Sequence, residues 1–96
     1  MDELEKRISV IYANHQDFEQ AIKRVQKKTK SPVLRLDLNR MKKSYENSWL
    51  ELWKAYSQKG ARNYSYHKNL DKAIYDYCEC KSNLEQWMLV ARLEDS

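Results

Sequence analysis

A single proline at position 32 and a single glycine at position 60 are the only residues of their kinds in this 96-residue chain. Folds built from short strands need a turn roughly every eight to twelve residues, and glycine, proline and asparagine clusters usually supply them. A chain with so few breakers has no means of making those turns, so β sandwiches and barrels are excluded. Collagen-like and linker-like compositions are excluded on the same ground. What remains is long helices, and the two breakers say where they stop. Ser31-Pro32 reads as a serine N-cap followed by proline at the first helical position, where its missing N–H costs nothing. Gly60 reads as the left-handed residue that closes the same helix. Upstream, Asp2 with Glu5 forms an acidic capping box, and downstream Asn63 or Ser65 can open a third helix.

The apolar spacing agrees. The first segment carries Leu4, Ile8, Ile11, His15, Phe18, Ile22 and Val25 at alternating steps of four and three. In the second the run is Leu34, Leu38, Met41, Tyr45, Ser48, Leu52 and Ala55, widened by Trp49 and Tyr56. The third has Tyr66, Leu70, Ala73, Tyr77, Cys80, Leu84, Trp87 and Ala91. Such stripes pack knobs into holes, and short connections make neighbours antiparallel. The expectation is an all-α fold, an elongated antiparallel three-helix bundle with coiled-coil-like packing. It forms a single domain over 1–96, with helices over about 3–29, 32–59 and 64–93.

Apolar residues are left over outside these stripes: Val10, Tyr12, Leu36, Leu50, Trp53, Ile74, Tyr75, Leu89 and Leu93. Single exposed apolar residues are ordinary, but a second stripe on the same helices points to a partner surface. Leu50, Trp53, Leu89 and Leu93 are its candidate contacts. The charge is also uneven. Net charge is +4, yet the stretch from 23 to 43 holds nine basic residues against the single acid Asp37. These are Lys23, Arg24, Lys27, Lys28, Lys30, Arg35, Arg40, Lys42 and Lys43. A basic corner of this kind suits nucleic acid or an acidic partner, or an anionic membrane surface, although a strong amphipathic anchor is lacking.

Reactive constellations are poorly supplied. Cys78 and Cys80 lie two apart on one helix and point in different directions, which disfavours a disulfide between them. A C-x-C pair without a second pair is not the usual spacing of a zinc site. Cys78 and His67 are about three helical turns apart on the same helix, roughly 16 Å, too far for a nucleophile and its base. One glycine cannot make a phosphate loop. His15, at a seam position, reads as a polar notch that sets register. The sequence thus predicts no enzyme, no metal and no cofactor. No apolar run approaches the length of a membrane span. The acidic opening Met1-Asp2-Glu3-Leu4-Glu5 lacks the apolar core of a secretory signal, and with two unpaired cysteines the expected setting is intracellular, cytoplasmic or nuclear.

The stretch Leu36-Asp37-Leu38-Asn39-Arg40-Met41-Lys42-Lys43-Ser44-Tyr45-Glu46-Asn47-Ser48-Trp49-Leu50-Glu51-Leu52 resembles the N-terminal helical region of Gag polyproteins from BEL/Pao-type LTR retrotransposons. The likeness covers about residues 20–92, including Tyr75-Asp76-Tyr77-Cys78-Glu79, and places Leu38, Met41, Tyr45, Trp49, Leu52 and Tyr56 at the family's structural positions. It implies an assembly or scaffold role. The resemblance covers the helical region alone, so the particle assembly and RNA packaging of that family, which use its capsid-like domain and zinc knuckle, are not expected of these 96 residues by themselves. The expected function is a non-enzymatic helical module that self-associates or docks a helical protein partner, with nucleic-acid binding through the basic corner as the alternative.

Overall fold

The computed structural model describes residues 3–59 and 65–94, with side chains through Ala91. They form α1 (Glu3–Lys28), α2 (Pro32–Tyr56) and α3 (Tyr66–Glu94), with no strand among the described residues. The ends follow local chemistry. Thr29 closes α1 by donating both its N–H and its Oγ1 to the Val25 carbonyl, at 2.9 and 2.7 Å. Ser31 is extended (φ −67°, ψ 126°), and its Oγ accepts the Leu34 N–H at 3.4 Å. Pro32 then starts α2 as expected. Glu3 and Glu5 lie in the first turn of α1 and Lys27 and Lys28 in its last, each sign matched to the helix dipole.

The second helix is shorter than its spacing suggested. It ends at Tyr56 rather than Lys59, because the backbone tightens there: Gln58 N–H donates to Ala55 and Lys59 N–H to Tyr56, both across three residues. Ser57 supports the turn, its Oγ donating to the Lys54 carbonyl at 2.7 Å. The caps proposed at Asp2, Gly60 and Asn63 lie outside the described residues. Ser65 does precede α3, and its carbonyl accepts the Asn69 N–H at 2.8 Å.

Contacts between helices set their directions. Arg7 meets Asp71 and His15 meets Tyr77, so α1 and α3 run the same way. Glu5 bonds Lys59 and Tyr12 packs on Trp53, so α2 runs against α1. Glu5 holds the Lys59 ammonium above its ordinary range through that bond. The result is a rod of 51 × 21 × 16 Å. Backbones of α2 and α3 approach most closely, while α1 lies further off both.

The three stripes form the core. Ile8, His15, Phe18 and Ile22 of α1 are buried, as are Leu38, Tyr45, Ser48 and Leu52 of α2 and Leu70, Ala73, Tyr77, Leu84 and Ala91 of α3. Leu4, Ile11, Val25, Met41, Trp49, Trp87 and their neighbours pack half-buried around them. One residue assigned to the surface is not there. Ile74 is only 3% exposed, because α3 faces both other helices and its buried arc is wider than a single heptad stripe.

Candidate interaction surfaces

Midway along the rod the core is polar. His15 Nδ1 lies 2.7 Å from Tyr45 Oη and 2.9 Å from Tyr77 Oη, and the two hydroxyls are 2.6 Å apart. On its other side His15 Nε2 meets Glu19 Oε1 at 2.9 Å. A carboxylate only accepts, so Nε2 carries a proton; in the neutral ring Nδ1 then accepts from one tyrosine, which in turn accepts from the other. One side chain from each helix thus shares a single closed set of hydrogen bonds. His15 is a buried polar position in the seam, bonded to a side chain of each of the other two helices. Both tyrosine rings are fully enclosed. Burial raises both phenols. Tyr77 is pushed up to about 12, and Tyr45 goes further because its bond to Tyr77 adds to the effect of burial.

Aromatic rings connect this cluster to solvent. The Trp49 ring lies parallel to His15 at 3.6 Å between centroids, and Trp53 meets Trp49 edge-on at 5.5 Å. Tyr12 of α1 leans on both tryptophans, at 6.4 and 5.8 Å. Tyr56 continues the series beyond Trp53 at 5.8 Å. The series surfaces at Tyr12 and Trp53, which are 63% and 36% exposed. Leu50, one turn before Trp53 and 63% exposed, extends the same apolar face.

The apolar contacts expected on one surface therefore fall on two. Leu50 and Trp53 flank α1 on its α2 side. Leu89 lies on the α3 side of α1, lining one cleft with Val25 and Lys28. Tyr12 and Val25 are thirteen residues apart on α1, about 20 Å. The side chain of Leu93 lies outside the described residues. Val10, Leu36 and Tyr75 are exposed as expected.

On the Leu89 side, the end of α1 and the end of α3 enclose a half-open cleft of about 830 Å³. Its apolar surface comes from Ala21, Val25, Met88, Leu89 and Ala91, and its rim carries Arg24, Lys28 and Lys30. Alanine at 21 and 91 leaves the space. Spacing alone did not reveal the cleft, and the two alanines were its only sequence signal.

The remaining basic residues surround this end of the rod. Lys23 and Lys27 are exposed on α1, and Arg35, Arg40 and Lys43 on α2. Among the described residues only Lys42 of the nine has a carboxylate partner, Glu46 at 3.9 Å. Part of the excess is structural, since lysines in the last turn of α1 complement its dipole. Cys78 and Cys80 are free thiols. Among the described residues no cluster of side chains could hold a metal ion, and no helix is long and apolar enough to cross a membrane. Compared with models of protein families, with curated proteins and with solved structures, the chain matches none.

Proposed function

We propose that this chain is a non-enzymatic helical interaction module that self-associates through the α1–α2 aromatic face. The observation that carries the reading is the ring series ending exposed at Tyr12 and Trp53 with Leu50 beside it. Tryptophan and tyrosine dominate interface energetics when a partner removes them from water, and a series backed by the core offers them already ordered. The resemblance to Gag helices points the same way, toward assembly. Light scattering from low to high micromolar tests this. The mass is expected to rise above the 11.6 kDa of one chain, and Leu50→Glu, at an exposed position, is expected to hold it there with helicity unchanged. A wild type that stays at one chain's mass throughout, or an oligomer indifferent to Leu50→Glu, would overturn the reading.

The unpaired cations around 23–43 favour a second reading, nucleic-acid binding. It rests on charge alone, because that segment contains no aromatic residue to stack on bases. Counterion release predicts a log–log salt slope of about −0.9 per neutralised phosphate. Replacing Lys27, Lys28, Lys42 and Lys43 by glutamate is expected to abolish RNA and DNA binding. Binding that survives the replacement removes this reading.

A further inference from the structure

We infer that the cleft between the ends of α1 and α3 is a docking site for an amphipathic helix whose apolar stripe is flanked by glutamate or aspartate. This site is heterotypic and separate from the α1–α2 face. Three features select that occupant. First, the walls are two helices running the same way, and the space between such helices accepts the side-chain ridge of a third. The stretch from Ala21 to Lys30 is about 14 Å long, room for two to three turns.

Second, the lining is apolar where it is deep and cationic where it meets solvent. Leu89 stands 62% exposed with nothing of its own chain over it among the described residues, while Arg24, Lys28 and Lys30 form the rim. Among the described residues the only acid in the lining is Glu85, which faces Lys81 at 4.0 Å. The described rim is therefore cationic beside an apolar surface, and the complementary ligand has carboxylates beside leucine-like side chains.

Third, the alternatives fit less well. Nucleic acid would find phosphate partners here but no ring to stack on among the described lining residues. A lipid chain would be left open along one side, because the described residues of the cleft form two walls.

The test is an amide chemical-shift titration of isotope-labelled protein with a designed peptide of about 18 residues, long enough to hold a helix. Its leucine stripe is flanked by glutamates. A second peptide carries lysines in their place, and a third has the glutamate peptide's composition in scrambled order. The glutamate peptide is expected to shift Ala21, Val25, Met88 and Leu89 and to bind at least about tenfold more tightly than the other two. Arg24→Glu with Lys28→Glu, both at exposed positions, is expected to reverse the preference toward the lysine peptide. Leu89→Glu is expected to weaken the glutamate peptide about tenfold or more with helicity kept.

A glutamate peptide that fails to bind, shifts that fall elsewhere, or a scrambled peptide of equal affinity would each overturn the site. So would a charge reversal without effect, or shifts at these residues produced by oligouridine RNA or phosphatidylserine vesicles and not by the peptide. Self-association is read separately. A monomeric chain that takes the peptide leaves this site standing, and an oligomer that ignores it removes this site alone.

Discussion

Truncating Leu84 to alanine is expected to lower the unfolding free energy by about 2–5 kcal/mol, with Leu38→Ala close behind. Both side chains are fully enclosed, one on each of the two helices that pack most closely. A backbone already in close approach cannot move in to fill the space, so the cost includes the cavity as well as the lost transfer energy. A domain of this size has about 5–15 kcal/mol in hand. At about 4–8 °C per kcal/mol the loss lowers Tm by about 8–40 °C. Leu36→Ala, exposed on the same helix as Leu38, is expected to stay within about 0.5 kcal/mol. Calorimetry on the three variants checks the ordering, and equal losses at Leu84 and Leu36 would contradict the packing described.

The second large effect belongs to the cluster of His15, Tyr45 and Tyr77, and it is expected to be non-additive. Either tyrosine alone can donate to His15 Nδ1, given 2.7 and 2.9 Å separations. Tyr45→Phe therefore leaves Tyr77 as donor, and Tyr77→Phe leaves Tyr45. Each single change removes one hydroxyl at nearly constant volume and is expected to cost about 1 kcal/mol. Removing both strands a buried acceptor nitrogen with no donor, adding about 1–3 kcal/mol beyond the sum. Denaturant unfolding of the four proteins in the cycle measures the excess. A strictly additive cycle would mean the three groups do not share one network.

The same pair makes the fold sensitive to alkali. Burial holds both phenols above their ordinary value near 10, Tyr77 at about 12 and Tyr45 higher. The folded protein thus keeps protons that the unfolded chain releases. Stability from this source is complete below about pH 10 and is lost as pH rises through 12. For Tyr77 alone the loss is of order 2–3 kcal/mol. Phenolate absorbance is expected to show a late component from Tyr45 and Tyr77 that rises together with unfolding. In the variant with both tyrosines replaced by phenylalanine the stability profile above pH 10 flattens.

Much of the architecture was readable before any coordinate. Pro32 after Ser31 marked the start of α2, and the alternating steps of four and three marked every seam, because capping and helical periodicity act over a few neighbouring residues. His15 stood out as the polar member of an apolar stripe, and it is indeed buried and bonded. Its partners were not readable. Two tyrosines thirty and sixty-two residues away meet it only when three helices take one particular offset. The end of α2 was misplaced by three residues for a related reason: the backbone tightens after Tyr56, where the Ser57 hydroxyl bonds the Lys54 carbonyl.

The surfaces divide in the same way. Sequence alone determined that Leu50, Trp53 and Leu89 lie off the seams and that the basic residues cluster, since both follow from position along a helix. Only the tertiary structure decided that Ile74 goes inside, that Trp53 and Leu89 serve opposite flanks of α1, and that Ala21 and Ala91 open a cleft beneath the cations. Those outcomes depend on how far rings such as Trp49 and Phe18 hold one helix from another. That distance is set by side chains meeting across helices, and no spacing within a helix encodes it.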